Sequence, residues 1–326
     1  MNKSVSENSN KNVVTGAAGF IGSHTAEELL KKGKDVVGID NFHPYYSEEI
    51  KRQNLKEVKK TAKDAEGEFT FVDGSILEDE SLEKLPSEPA KVFHNAAVAG
   101  VRNSIENPSE YAKQNLLGLS NLLDSFEDIG KFVFASSSSV YGMVPEEELP
   151  VKEDRELDPI APYPQSKKHG EEMVRLYSDL YDFEYSIVRY FTVYGPRQRP
   201  DEAFTKFIQM ILNDEPVTIY GDGEQSRDFT YVKDIVNGAI KASEAQGSDT
   251  YNIGSQRRIT VKEMVETLDE VMDENVEKTH VEQPEGDARH THANIQKAKN
   301  KLDYAPEKEF EEGVKACVEW AKERGI

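Results

Sequence analysis

The chain has 326 residues, with 61 Asp and Glu against 40 Lys and Arg, and a net charge of −21. So acidic a surface repels nucleic acid and anionic membranes, which excludes both as expected partners; an anionic ligand needs local arginines, lysines and backbone N–H groups to hold it. No run of 18 apolar residues occurs, so no membrane span is expected, and the single cysteine, Cys317, excludes an internal disulfide.

Residues 1–11 are rich in Ser, Asn and Lys, lack the apolar region of a signal peptide, and read as a tail outside the fold. A short apolar strand over 12–15 then gives way to a helix over 22–32, with Gly16, Gly19 and Gly22 at the turn. The first glycine suits a tight turn, the second lets backbone approach a pyrophosphate, and the third lets helix pack close to strand. The helix N-terminus adds unpaired N–H groups and a partial positive charge. A second strand over 36–40 ends in Asp40, about 20 residues on, where an acid accepts hydrogen bonds from ribose hydroxyls and repels a 2′-phosphate. The expected cofactor is therefore NAD and not NADP.

Strand patterns recur over 69–72, 92–96, 132–135 and 186–191, separated by helical patterns over 47–63, 108–126 and 164–181. This alternation predicts an α/β fold with a doubly wound parallel sheet of the Rossmann kind. Residues 12–191 are assigned to it. Beyond them come a polar turn over 197–200, helices over 203–212, 232–243 and 261–272, strands over 217–220 and 250–253, and a last helix over 311–324. Residues 192–326 read as a smaller, interleaved α/β lobe for substrate, from which 232–248 returns to pack on the first domain. Cys317, Val314 and Trp320 are helix-spaced and read as core. With one buried cysteine and no targeting segment, the cytoplasm is the expected compartment. His280, His290 and His292 lack metal-ligand spacing, and no metal is expected.

The strand over 132–135 runs into Ser136-Ser137-Ser138-Ser139, whose hydroxyls fall at the ligand crevice of such a sheet. Downstream, Tyr163 and Lys167 are four apart at a helix start and share a face. A phenol is a poor base at neutral pH, but an ammonium and a cationic nicotinamide both favour the phenolate. Ser137 would then hydrogen-bond the substrate hydroxyl as it loses its proton.

Together, TGAAGFIG at 15–22, ID at 39–40, the serines before VYG and the YxxxK at 163–167 resemble the extended short-chain dehydrogenase/reductase family of nucleotide-sugar enzymes over nearly the whole chain. The resemblance implies NAD-dependent oxidation at sugar C4, centred on Ser137, Tyr163 and Lys167, with NAD tightly bound and regenerated each turnover. It implies further cofactor contacts from Phe20, Ile21, Asn41, Ser75 and Ile76. Ala96, Ala97, Asn115 and Lys167 complete that set. Ser138-Ser139 stand where the family's 4,6-dehydratases carry Asp-Glu, and its UDP-xylose-forming decarboxylases usually carry Glu where Ser139 sits. Serine is not an acid–base group at neutral pH, so re-reduction at C4, an epimerisation, is favoured over either lyase. The segments at 40–46, 94–102 and 189–201 resemble the UDP-glucuronate 4-epimerase branch, with UDP-glucose or UDP-N-acetylglucosamine as alternative substrates. Thr192 replaces the Asn, and Thr291 the Tyr, of the best-known UDP-glucose epimerases.

The resemblance implies substrate contacts from Arg102, Ser138, Thr192 and Arg199, with Tyr220, Arg227 and Arg289 on the second lobe. Arg227 matches the family's diphosphate-binding arginine; Thr192, Ser138 and Arg199 are the candidates for holding a sugar carboxylate. A homodimer is implied as well. Two positions depart from the family pattern: Ser75 stands for the acid that usually meets the adenine amino group, and Asn95 for a leucine.

Overall fold

The computed structural model describes residues 10–274, 276–282 and 289–325. Six strands alternate with helices through its first two thirds: β1 (Asn12–Thr15), β2 (Val36–Asp40), β3 (Phe69–Asp73), β4 (Lys91–His94), β5 (Lys131–Ser137) and β6 (Glu184–Tyr190). With a later strand, β7 (Asp249–Ile253), they form one parallel sheet in the order β7-β6-β5-β4-β1-β2-β3. The strands read as near-continuous apolar runs because both faces are covered. Consecutive residues divide between two cores: Val13, Val37, Val92 and Phe132 join one cluster, and Val14, Val36, Phe93 and Val133 the other. This is the period-2 alternation of a pleated strand.

The helices fall into two groups. Phe20–Lys31 packs on Glu48–Asp64 and on Val232–Glu244, while Pro162–Tyr181 packs on the helical stretch 101–124. Strand order reverses between β1 and β4, so the connections leaving these neighbours diverge and open a crevice at their C-terminal ends.

The second region has its own aromatic core. The rings of Tyr194, Phe204, Phe229 and Phe310 lie 4.9–6.2 Å apart, centroid to centroid, among the helices Ala203–Leu212, Val261–Met272 and Phe310–Arg324. Cys317 is buried in that core, where desolvation pushes its thiol up to about 12.

Three sequence expectations change. The strand near 250–253 belongs to the main sheet and not to the second lobe, because it pairs with β6 from Asp249↔Ser186 to Ile253↔Tyr190. The helix expected over 108–126 is interrupted: a widened π-helical turn, Lys113–Leu117, separates Pro108–Ala112 from Gly118–Asp124. The expected tail 1–11 falls mostly outside the described residues, but its last member, Lys11, is tied to the fold, since its carbonyl accepts from the Ala90 N–H at 2.9 Å.

Candidate functional site

The crevice opens into a cleft of about 940 Å³ lined from both regions of the chain. One end is the glycine turn. Gly16 sits at φ +68°, and a Cβ there would come 3.0 Å from the Ala96 nitrogen. A Cβ on Gly22 would lie 2.0 Å from the Gly16 carbonyl oxygen, so only hydrogen fits where helix meets turn. No side chain caps the helix that begins at Phe20, which leaves its first N–H groups for a ligand. Gly19, Phe20 and Ile21 line the cleft beside them. Asp40 closes this end, accepting from the Ala18 N–H at 3.0 Å and the Phe42 N–H at 2.8 Å. Burial raises its carboxyl above the ordinary range, against the pull of those two bonds and of Lys51. A glycine cradle that admits no Cβ, an uncapped helix start and an acid at the end of β2 fit a dinucleotide.

Asn41, Ile76, Ala96 and Ala97 also line the cleft. Two residues expected to touch cofactor do not line it. Ser75 is buried, and its hydroxyl accepts from the Leu77 N–H at 3.2 Å and from Asn41 at 3.4 Å. Asn115, in the π-helical turn, pairs its amide with the backbone of Val98 in both directions (2.8 and 3.0 Å) and donates to Ser166 at 2.9 Å. The Ser166 hydroxyl donates to the Tyr163 carbonyl at 2.7 Å. Asn115 therefore braces the loop after β4 against the helix that carries Tyr163. The second departure, Asn95, lines the cleft with its amide 3.4 Å from the Phe93 carbonyl.

Ser137, Tyr163 and Lys167 all line the cleft, and Ser137 is bonded to Tyr163. The Ser137 oxygen accepts from the Ser139 N–H at 3.2 Å and from the Ser139 hydroxyl at 2.9 Å, so its own proton is left for the Tyr163 oxygen to which it is hydrogen-bonded. Burial raises the Tyr163 phenol above its ordinary value; the Ser137 bond and then the Arg199 charge oppose this. Lys167 is 4% exposed, donates to the Ala135 carbonyl at 2.7 Å and lies 5.1 Å from the Phe134 ring centre. Desolvation lowers it to about 8, and Glu171 pulls the other way. In the protein by itself the phenol thus stays protonated, and the cation that opposes its burial is Arg199 rather than the expected Lys167.

Of the residues expected on the substrate side, Arg102, Ser138, Thr192, Arg199, Arg227 and Thr291 line the cleft. Arg199 is held on one edge by Asp201 at 3.0 and 3.1 Å and pairs with Glu202, while the Tyr45 ring lies 5.3 Å from its guanidinium and the Tyr45 hydroxyl donates to Asp201 at 3.3 Å. A substrate carboxylate must share Arg199 with these two acids. Arg227 donates to the carbonyls of Ser226 and Arg289 at 3.0 and 3.1 Å. Tyr220 stands outside the lining with Arg102 over its ring at 5.2 Å. Arg289 is exposed, outside the lining, and bonded to Asp222 at 2.9 Å. Sequence reasoning missed the Asp201–Glu202 pairing of Arg199 and the bond from Ser139 to Ser137. Among the described residues, no group of three or more His, Cys, Asp or Glu side chains is placed to hold a metal ion. No helix among them is long and apolar enough to cross a membrane.

Residues 13–317 match the family model described as GDP-mannose 4,6 dehydratase. The chain belongs to that family of extended short-chain dehydrogenases/reductases. It is 39% identical over 318 residues to a UDP-glucuronate 4-epimerase of Thermodesulfobacterium geofontis, covering 95% of this chain and 96% of that one. A solved UDP-glucuronic acid 4-epimerase from Bacillus cereus, in complex with UDP-glucuronic acid and NAD, matches with a TM-score of 0.89 at 35% identity over 96% of this chain and 99% of that one. A UDP-glucose 4-epimerase from Thermotoga maritima, solved with UDP-glucose, matches at 32% identity with a TM-score of 0.86, over 97% and 100% of the two chains.

Proposed function

We propose that the protein is an NAD-dependent UDP-sugar 4-epimerase that interconverts UDP-glucuronate and UDP-galacturonate. The observation that carries this is that Ser137, Tyr163 and Lys167 line one cleft together with the glycine cradle and with Arg199 and Arg227. Bound NAD supplies the hydride acceptor and donor. Tyr163 takes the sugar 4-hydroxyl proton and later returns it; Ser137 donates to the oxygen in play. Lys167 holds the nicotinamide ribose and contributes its charge to the phenolate. Asp40 takes the adenosine ribose hydroxyls. Thr192, Ser138 and Arg199 orient the sugar carboxylate, so that the 4-keto sugar, a β-keto acid, keeps its CO₂ while it turns to present its other face. Asp201 and Glu202 hold the Arg199 fork in place for that task.

Two features support an epimerase over a 4,6-dehydratase or decarboxylase. Ser138 and Ser139 put hydroxyls, and no carboxylate, beside Ser137, and the Ser139 hydroxyl is engaged in holding Ser137. The deciding experiment incubates the enzyme separately with UDP-glucuronate, UDP-glucose and UDP-N-acetylglucosamine and resolves products by chromatography and mass. A C4 epimer of UDP-glucuronate at unchanged mass is expected. Loss of 18 or 44 mass units would assign a lyase, and turnover of UDP-glucose alone would assign the neutral-sugar reading.

Arg227 is assigned to the diphosphate. Arginine bonds to phosphate oxygens contribute about 1.5–3 kcal/mol, so Arg227→Ala should raise KM by about 10–100-fold with little change in kcat. Unchanged KM would remove Arg227 from the site.

The oligomer proposed is a homodimer through the helix Pro162–Tyr181. Leu176, Leu180 and Tyr181 on that helix are each more than half exposed, as are Ile105 and Leu117 in the stretch packed beside it. Leu180→Glu should leave only monomer in sedimentation where the parent sediments as a dimer; a parent that is itself monomeric defeats this assignment. The compartment proposed is the cytoplasm, supported by the lone buried Cys317; recovery from another cell fraction would overturn it.

A further inference from the structure

Directly behind Lys167 lies a buried charge cluster for which the reaction as described has no use. Glu171, one helical turn further along, is 0% exposed. Its two oxygens are gripped by the Arg189 fork from β6, Nε to Oε1 at 2.9 Å and Nη2 to Oε2 at 2.7 Å. Arg175 adds a bond at 3.0 Å from the same helix, and the Ser136 hydroxyl of β5 donates to Oε1 at 2.6 Å. Arg189 is fixed in turn by the Tyr141 hydroxyl at 2.9 Å and the Glu153 carbonyl at 3.0 Å. So costly a burial is offset only by close pairing, and the pairing fixes the carboxylate over β5: Glu171 meets Ser136 where Lys167, four residues earlier on the same helix face, meets the adjacent Ala135.

We infer that Glu171 is a positioning residue for Lys167: locked by the Arg189 fork, its carboxylate keeps the amine of the preceding turn cationic although that amine lies in a desolvated cleft. The inference rests on the proposed Ser-Tyr-Lys chemistry and deepens it. Among the described residues, Glu171 is the acid whose charge acts on the amine. From β5 the amine meets the Ala135 carbonyl and the Phe134 ring. From β4 comes His94, which burial lowers to about 3 and which is therefore neutral. Its own helix offers Tyr163 and Glu171. The stretch 101–124 contributes the uncharged Tyr111, edge-on to Tyr163 at 6.1 Å, and Asn115. Burial pushes the Glu171 carboxyl up, but the Arg189 bonds, Ser136 and Arg175 outweigh it and hold it below its ordinary value, so the charge is present throughout the working range. Arg189 and Arg175 are cations whose charge Glu171 offsets, and without it they would act against Lys167's protonation.

The test measures kcat against pH from 6 to 10 for the NAD-loaded parent, Glu171→Gln and the double variant Glu171→Met/Arg189→Met, which removes the pair without stranding a buried cation. An acid one turn away raises an amine's pKa by about one unit or more. Activity needs the cationic form, so it falls as pH rises through the amine's titration; losing the acid moves that fall to lower pH. Glu171→Gln should lose activity about one pH unit earlier on the alkaline side, and the double variant, which removes opposite charges together, by a smaller interval in the same direction, with KM little changed. Nitrogen-15 NMR of lysine Nζ in the same holoenzymes, without any sugar, should show Lys167 titrating earlier by the same intervals. A Glu171→Gln holoenzyme whose alkaline limb and Lys167 titration both superimpose on the parent's would overturn the inference and leave the pair a structural brace; the double variant separates this from the effect of the cation Glu171→Gln leaves unpaired. The NMR arm reads Glu171 even if no UDP-sugar turns over, so failure of the epimerase reading is distinguishable from failure here.

Discussion

Tyr163→Phe is expected to lower kcat by about 10²–10⁴-fold, the usual contribution of a positioned proton-transfer group. The replacement removes one oxygen and leaves the ring that stacks edge-on against Tyr111. The Ser139–Ser137 bonds, the Lys167–Ala135 bond and the glycine cradle do not involve that oxygen. The variant should therefore fold as the parent does, retain its NAD and bind UDP-sugar with similar affinity. Single-turnover measurements should show no reduction of bound NAD when UDP-sugar is added, because the 4-hydroxyl proton has no acceptor. Retained NAD with turnover within threefold of the parent would mean that another group takes the proton, and the assignment of Tyr163 would fall. Loss of NAD on replacement would instead show a role in holding the cofactor.

Gly22→Ala is the second large effect. The added methyl would sit 2.0 Å from the Gly16 oxygen and 2.7 Å from its carbon, and both are backbone atoms that cannot swing aside. Relief requires the helix to lift from the turn, which opens the cradle and turns the first helical N–H groups away. Overpacking of this kind costs about 3 kcal/mol where the neighbour is rigid. The expected protein is purified without NAD, is destabilised in denaturant titration by about that amount, and regains little activity at high added NAD. A Gly22→Ala protein that still carries a full complement of NAD would show that the helix start does not hold the dinucleotide. Gly247→Ala is a useful contrast: nothing lies within 4 Å of the added methyl and only its φ of +73° is strained, so cofactor retention should not change.

The sheet was legible because its strands carry unusually clear signals. Val36–Asp40 and Phe132–Ala135 are apolar on both faces, and each sits between helical patterns, which leaves little but a parallel strand. The strand at 249–253 was legible as a strand but not as a member of this sheet, because register with β6 depends on a chain return that local pattern does not encode. The π-helical turn at 113–117 was hidden for a similar reason. Its sequence is helix-compatible throughout, and the widening serves the side chain of Asn115, which must reach Val98 and Ser166 at once. At the site, the glycine turn, Asp40 and the Ser137, Tyr163, Lys167 spacing follow from short-range rules and could be read directly. The Arg199–Asp201–Glu202 cluster could not be weighed that way: the residues are adjacent in sequence, but whether they pair with one another or face a ligand is decided by how the loop folds. Glu171 had a signal that went unused, its spacing of four from Lys167, but its partner Arg189 lies on another strand.

The placement of β7 sets the order in which this protein can be made. Until residues 249–253 have left the ribosome, β6 presents an unpaired strand edge, and such edges invite association with other chains. The helix Val232–Glu244, which packs against Phe20–Lys31, β5 and β6, arrives only just before. The nucleotide-binding half is thus the first to be synthesised and among the last to be sealed. The edge stays open from the synthesis of β6 at 184–190 until 249–253 follow, and a gene fragment ending near residue 191 would leave it open for good, with the aggregation hazard of any unpaired strand edge.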